Sequence, residues 1–540
     1  MVVVGKQREE DLAEPVLETL IANDRTPWYK KPNLRILYLI LFPACMGIEI
    51  TSGFDSQIIN TVQIVYTWNK YFGDLTGEMT DDGLPEYKIP SELKGFLGAA
   101  YSLGAILSLP FVPWLNQRFG RRWTIMFGSW VSLLGAILQG FSNGTAMYCI
   151  ARIILGFGIP FCIVAGSSLL GELGYPKERA ILTSLFNSSY FIGQITAAAV
   201  GLGTVTIKTD WAWRIPSLLQ LAPAMVQIVF VMFLPESPRY LISKDRRDEA
   251  AAILTKYHAE GDRDSVIVRA ELAQIERTIK IELEESKQTW GDMFRTAGMR
   301  RRLFISGFLG LFTQWSGNTL TSYYLSDLLD MVNITDSVVK SKINIGIACW
   351  GLVTGTTSAL LAPRFPRRRM YLITVCSLLC VYIAWTISME RFMTTQVRAA
   401  AILTILFIFL YSPAYNIGYN ALTYTYLVEL FPYFGRSRGI SWYQFFSRGA
   451  SFFATYVNPI GLENIQWRWL IVYVCWLAFE VVFVFFFFPE TYGRTLEELS
   501  FLFEGKEKAN EVAAAVHKQL GEAEGQKVGT VHTEIREEKV

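Results

Sequence analysis

From residue 35 to residue 488 the chain alternates long apolar runs with polar connections. A helix needs about 20 mostly apolar residues to cross the hydrocarbon core of a bilayer. Twelve such runs are present, starting near Ile36, Gly95, Trp123, Ala146, Ile181 and Trp213 and then near Leu303, Ile343, Met370, Arg398, Ile440 and Trp467. The pattern predicts an all-α membrane protein of twelve transmembrane helices in two six-helix halves, 35–234 and 303–488. Between them, 235–302 is rich in charge, with apolar residues at helical spacing (Ala251, Leu254, Ile267, Leu272, Ile275). That spacing predicts a solvated cytoplasmic linker carrying short amphipathic helices. A polar segment, 1–34, precedes the first run, and a polar tail, 489–540, follows the last. Glu9, Glu10, Asp11 and Glu14 make the start unlike a cleaved signal peptide, so insertion falls to the first span.

Charge placement sets the expected orientation. Arg118, Arg121 and Arg122 follow span 2, Lys177 and Arg179 follow span 4, and Arg364, Arg367, Arg368 and Arg369 follow span 8. Those connections are expected in the cytoplasm, with both termini on the same side. The acidic stretch 60–92 then lies outside, as do the sequons at Asn143 and Asn333, which sit too near the lipid to be good glycosylation acceptors.

The halves repeat one another. Trp213-Arg214 recurs as Trp467-Arg468 and Pro235-Glu236 as Pro489-Glu490, both at an offset of 254 residues. Glu172 with Arg179 after span 4 matches Glu429 with Arg436 after span 10. Parallel repeats of this kind place a substrate site between the halves near the bilayer midplane, exposed alternately to each side.

Composition narrows the chemistry. Of 540 residues, 51% are hydrophobic and 14% aromatic, with a net charge of only +2, so no basic excess exists to hold nucleic acid. The seven cysteines lie inside apolar runs without CxxC spacing and read as small core residues. His258, His517 and His532 fall in the linker or the tail, leaving no intramembrane histidine for a metal or a relay. With no P-loop and no metal cluster, the reading is a carrier driven by gradients, not an enzyme, and no cofactor or metal is expected.

Pro235-Glu236-Ser237-Pro238-Arg239-Tyr240-Leu241, Pro489-Glu490-Thr491-Tyr492-Gly493-Arg494 and Asn116-Gln117-Arg118-Phe119-Gly120-Arg121-Arg122 resemble the loop signatures of the sugar porters of the major facilitator superfamily. The likeness extends through Arg152 with Gly156, Glu172 to Arg179 and Glu429 to Arg438, over roughly residues 35–505. Gln314-Trp315-Ser316-Gly317-Asn318 followed by Tyr323-Tyr324 is most similar to the fungal lactose and cellodextrin permease branch. Thr319 stands where the family has its span 7 asparagine, Tyr424 where a tryptophan is common in span 10, and Pro363 and Pro366 where the second-half loop usually has an acid and a glycine. The resemblance implies the major facilitator fold, a sugar substrate (disaccharide or hexose) and proton coupling; the plasma membrane is taken as the default location, and because one chain holds both halves a monomer is expected to suffice for transport. It also implies that Asp55 is the coupling acid.

The residues fit that implication. Asp55 late in span 1 and Arg152 early in span 4 reach a similar depth and are expected to pair, and an ionisable group inside a membrane needs a reason. A sugar wants amides, hydroxyls and aromatic faces. Asn187 and Gln194 lie two turns apart in span 5, while Gln314, Asn318 and Thr319 line a face of span 7 beside Tyr323 and Tyr324. Asn416, Asn420 and Tyr424 form a stripe in span 10, and Arg448 is a cation within span 11. Glu172, Glu236, Glu429 and Glu490 are expected to form a cytoplasmic gate with Arg121, Arg122, Arg179, Arg239 and Arg436, its two ends made asymmetric by Pro363 and Pro366. Carriage of a glycoside, polyol or quinate on the same scaffold, and a non-transporting sugar receptor, are the rival readings.

Overall fold

The computed structural model describes residue 24 and residues 26–79, 85–286, 290–361, 364–431 and 436–492. Within them the chain is a bundle of twelve long helices. Span 1 is Pro32–Gln63; span 2 is Ser91–Ser108 with Phe111–Phe119, bent by 52°; span 3 is Arg121–Gly140. Spans 4 to 6 are Thr145–Leu173, Arg179–Thr204 and Trp211–Phe233. Span 7 is Ala297–Trp315, Asn318–Tyr323 and Leu325–Asp330, and span 8 is Ser337–Leu361. Spans 9 to 12 are Arg367–Thr395, Arg398–Leu430, Arg436–Ile465 and Trp469–Phe487. By length and apolarity alone, eight helical segments qualify to cross a membrane, or nine with the bent pair. The stretch Arg438–Phe487 counts there as one segment, yet it holds two spans that turn at Gln466, where φ is +48°. Spans 5 and 7, broken by polar residues, complete the twelve.

Between spans 1 and 2 a short helix, Tyr66–Phe72, leads into a two-stranded antiparallel hairpin of Asp74–Met79 and Pro85–Lys88. This end of the bundle is the hairpin side. The opposite end, carrying the connection between the halves, is the linker side.

Small residues let the helices approach closely, as lipid-embedded packing favours. A Cβ on Gly53 of span 1 would lie 2.0 Å from the Tyr190 carbonyl oxygen of span 5, and one on Gly193 would lie 2.1 Å from that of Ile50. Spans 2 and 4 repeat the device: Gly104 faces the Ile153 carbonyl oxygen at 2.0 Å and Gly156 that of Tyr101 at 1.9 Å. These reciprocal contacts lock spans 1, 2, 4 and 5 into one unit. In both halves the repeated arginine stacks on its tryptophan, Arg214 over Trp213 at 4.9 Å and Arg468 over Trp467 at 5.8 Å.

The cysteine expectation holds for three residues. Cys45, Cys149 and Cys162 are buried, whereas Cys349, Cys376, Cys380 and Cys475 are exposed on outward helix faces, and all seven are free. Apolarity of a run does not distinguish the core from a lipid-facing surface.

The linker differs from a solvated connector. Helices Arg247–His258 and Val266–Ser286 pack on Leu241 through Ala250, Leu254, Val268 and Leu272. The body then grips three helix ends of the first half. Glu260 accepts from the Asn33 and Leu34 amides at 2.9 and 3.1 Å, capping the start of span 1. His258 is buried, with Nε2 3.2 Å from the Leu173 carbonyl oxygen that ends span 4 and Nδ1 2.7 Å from Glu271. Glu271 in turn accepts from Arg179 at the start of span 5, at 3.1 Å. Burial by itself would raise the Glu271 carboxyl; the His258 charge and hydrogen bond and the Arg179 charge overrule it and hold the group below the usual carboxylate range. On the other half, Phe294 of the final linker helix meets Trp442 of span 11 at 5.6 Å.

Two outcomes follow from this packing. Gly156→Leu should destabilise the detergent-solubilised protein by about 1–3 kcal/mol or more, read as a lowered thermal midpoint, because backbone blocks the added side chain. Glu260→Ala should cost about 0.5–2 kcal/mol of local stability, read as faster proteolytic cleavage within the linker at an unchanged global midpoint.

Candidate functional site

Span 7 is not a continuous face. Gly317 has φ +98°, and a Cβ there would meet the Tyr382 hydroxyl at 1.7 Å, so the helix stops and restarts at Asn318. A second break at Tyr324 frees the Leu325 amide, which donates to Asn60 Oδ1 of span 1 at 3.1 Å. Asn60 Nδ2 also donates to Asn344 Oδ1 of span 8 at 3.4 Å, and Gln57 Nε2 reaches the same oxygen at 2.5 Å. Lys94 pairs with Asp327, Lys88 with Glu463 at 2.8 Å, Ser337 donates to the Ile64 carbonyl at 3.1 Å, and Ser102 and Ser451 lie 3.2 Å apart. Among the described residues these polar contacts join the two halves; Ser102 and Ser451 meet near mid-span, and the others lie towards the hairpin side. Nearer the middle, Phe191 of span 5 fills the notch at Gly351 and Gly355 of span 8. The hairpin side is therefore shut.

Beneath that seal lie Asp55 and Arg152, each 1% exposed. The expected direct pair is absent: neither Asp55 oxygen has a hydrogen-bond partner, and Arg152 Nε and Nη2 have none among the described residues. The guanidinium lies over the Tyr101 ring at 5.6 Å instead, held there by the close contact of spans 2 and 4 at Gly156, one turn along. The two charges act on each other through space and both act on the Tyr323 hydroxyl of span 7.

The substrate candidates divide. Gln314 is half-buried and donates to Ser447 at 3.2 Å; Asn318, also half-buried, accepts from Ser322 at 3.3 Å. Asn420 donates to Asn416 at 3.0 Å and Asn416 to Thr354 of span 8 at 2.9 Å, within a π-helical turn, Asn416–Asn420. Tyr424 is 50% exposed and feels the charges of Glu49 in the first half and Arg448 in the second, so it faces the space between the halves, with Gln444 donating to its hydroxyl at 2.5 Å. Gln194 and Arg448 are half-buried, and Gln194 lies one turn from Phe191 at the half interface. Tyr323 is buried at the cavity wall. Two candidates belong elsewhere. Thr319 accepts from Asn458, which also binds Trp469 and Tyr473 within the second half, and Tyr324 donates to the Thr455 carbonyl at 2.5 Å with its hydroxyl against Gly98 of span 2; both are buried. The Asn187 side chain lies outside the described residues.

Sequence reasoning passed over several functional groups. Gln57, Asn60 and Asn344 carry the seal, and Glu480 of span 12, wholly buried, accepts from Tyr419 at 2.7 Å. Glu49, in mid-span 1, is half-buried. The intramembrane-acid rule that picked out Asp55 applies equally to Glu49 and Glu480.

At the linker side each half builds the same network. Glu236 accepts from the Arg121 and Arg122 amides at 3.0 and 3.3 Å, capping span 3, while Glu172 accepts from Arg121 Nη2 at 3.0 Å and from Ser237. Burial pushes the Glu236 carboxyl upward, and the amide donors of Ser237, Arg122 and Arg121 oppose that. In the second half Glu490 accepts from the Arg367 and Arg368 amides at 2.8 and 3.2 Å, while Glu429 accepts from Arg367 at 3.1 Å and from Thr491 at 2.5 Å. The expected asymmetry is absent. Pro366, with φ −59°, precedes the first turn of span 9 and leaves the capped amides free, as proline does there; Pro363 lies outside the described residues. Arg367 is the counterpart of Arg121, and Arg179 reaches the linker through Glu271. Arg239 and Arg436 are half-buried at the same ends of their halves.

Comparison with known proteins agrees with this architecture. A family model described as sugar (and other) transporter matches residues 40–503. The chain is 26% identical over 496 residues to a high-affinity glucose transporter of Kluyveromyces lactis, covering 87% of this chain and 86% of that one. It is 25% identical to the low-affinity glucose transporter HXT3 of Saccharomyces cerevisiae, covering 77% and 74%. The inward-open xylose transporter XylE of E. coli superposes with a TM-score of 0.68 at 19% identity, covering 87% of this chain and 100% of that one. The proton:xylose symporter XylE bound to 6-bromo-6-deoxy-D-glucose also gives 0.68 at 19%, covering 87% and 99%. With the fold, the repeated networks and the family match together, this chain belongs to the sugar (and other) transporter family of the major facilitator superfamily.

Proposed function

We propose that the protein imports a sugar together with a proton by alternating access across the plasma membrane, working as a monomer with its termini and linker in the cytoplasm. The observation that carries this reading is the Asp55 carboxyl: fully buried, without a hydrogen-bond partner, and within electrostatic reach of Arg152 and of Tyr323 in the opposite half. A bare carboxylate in such surroundings costs several kcal/mol. It is stable there either carrying a proton or with Arg152 brought into contact, and that alternative is a proton switch. Arg152 Nε and Nη2 also lack partners among the described residues, so contact between the two groups would satisfy both once Asp55 has lost its proton. On this orientation the hairpin side is outside, and the structure is the inward-facing member of the cycle.

The cavity chemistry supports a sugar. Gln194, Gln314, Asn318, Asn420 and Tyr424 offer donors and acceptors from both halves, with Tyr323 and Tyr424 as aromatic faces. The printed activities of the relatives, glucose transport and proton:xylose symport, point the same way. A disaccharide or a hexose is the substrate on this reading.

The test is uptake of radiolabelled glucose, xylose, lactose and cellobiose in transporter-null yeast. Wild type should accumulate at least one of them, and a protonophore should abolish accumulation. Asp55→Asn should lower accumulation to simple equilibration while sugar counterflow persists; accumulation by Asp55→Asn equal to wild type would remove Asp55 from coupling. Gln314→Ala and Asn420→Ala should each raise KM about two- to tenfold, the worth of one net hydrogen bond, with protein level unchanged.

A further inference from the structure

We propose that Glu49 of span 1 and Arg448 of span 11 are the ion pair that closes the central cavity on the linker side when the two halves rock. The proposal rests on the alternating-access reading above and names the contact that occludes the cavity in its other state.

Glu49 lies six residues before Asp55, about 9 Å further toward the linker side along the helix axis. Arg448 is near the middle of the 30-residue span 11. The two residues belong to different halves and occupy the same level, below the seal of Gln57, Asn60 and Asn344 and below the layer of Asp55, Arg152 and Tyr323. Both are half-buried, and Tyr190 of the first half and Tyr424 of the second feel the charges of both. That combination describes side chains facing an internal cavity, in contrast to Asp55 and Arg152, which are sealed.

Their charges act on each other, and no hydrogen bond or ion pair joins them or ties either one to another described residue. Around them stand hydroxyls, not counter-charges. Tyr190 and Tyr424 sense both groups, and Tyr101, Tyr323 and Tyr443 sense Arg448. Tyr190 is already bonded to Ser56, and Tyr424 to Gln444. While the cavity is open, water hydrates the two charges. Closure removes that water, and a desolvated charge must then find a partner or prevent closure. The halves already touch at the hairpin side, so rocking apart there brings their linker-side parts together, and Glu49 and Arg448 are the opposite charges placed to meet. Asp55 and Arg152 cannot serve in this role, because both sit in the first half.

Charge reversal separates this from a role in holding sugar. Glu49→Arg places two cations across the cavity, and Arg448→Glu two anions. Each should cut counterflow of the accumulated sugar about tenfold or more and raise hydrogen exchange at the linker-side ends of spans 4, 5, 10 and 11 in the purified full-length protein. The double reversal, Glu49→Arg with Arg448→Glu, should restore both readouts toward wild type. Neutral Glu49→Gln should leave glucose, xylose, lactose and cellobiose binding, followed by tryptophan fluorescence, close to wild type. A double reversal that restores neither readout overturns the pair. Loss of binding in Arg448→Gln with unchanged exchange overturns it in favour of Arg448 as a sugar ligand. Hydrogen exchange needs no substrate, so this test stands even where no sugar on the panel is carried and the transport reading itself fails.

Discussion

The Leu325 amide, freed where span 7 breaks and received by Asn60 of the opposite half, is the contact on which the described state depends. Within a bilayer no water is available to satisfy a loose backbone donor, so a helix can break only where protein supplies the partner. Here that partner is an asparagine in span 1, and its own amide reaches Asn344 in span 8. A local interruption of one helix thus becomes a bond between halves. Separating the halves at this level strips Leu325 N of its acceptor, which couples the shape of span 7 to whether the hairpin side is open.

The linker side is built on the opposite logic. There the strong contacts stay inside each half: Glu236 and Glu172 with Arg121, Glu490 and Glu429 with Arg367. Each glutamate that caps a helix start works with the helix dipole as well as with the amides. Single exposed ion pairs are worth about 1 kcal/mol or less, but these carboxylates are half-buried and accept several donors at once, so each half is stiffened at its end. The linker extends that stiffening to spans 1, 4 and 5 through Glu260, His258 and Glu271. Rigid halves with polar contacts concentrated at one end suit rocking rather than internal repacking.

Much of this was legible in the sequence because the signals are local. Apolar runs of span length, clustered arginines and the 254-residue repeat need no tertiary information, and they place all twelve spans. The cavity was legible in outline, since buried amides in lipid spans need a use. It failed where one assumption failed, namely that side chains advance steadily around a continuous helix. Gly317 resets the face of span 7, so Thr319 and Tyr324, counted as neighbours of Gln314, are buried against Asn458 and Thr455 instead. The glycine was visible; the direction in which the chain resumes was not. Arg367 stands where the repeat puts Arg121, so its role was legible although it was left out of the gate; Asn60 was missed because its partner, Leu325 N, lies on another helix, and an offset in sequence does not show which atom a broken helix leaves bare.

The short segment Asn318–Tyr323 is where the separate demands on this protein converge. Its far end gives way to Leu325 and the cross-half bond, while Tyr323 senses the charges of both Asp55 and Arg152. Those two groups sit in a half whose helices are locked by glycine-to-carbonyl contacts at Gly53, Gly104, Gly156 and Gly193. A change in their charge has little room to act by moving span 1 from span 5 or span 4 from span 2. The softer element within reach is the piece of span 7 between two breaks, which belongs to the other half. On the proposed proton switch, a proton on Asp55 would act across the interface, through Tyr323 and onto the segment whose end holds the hairpin side shut.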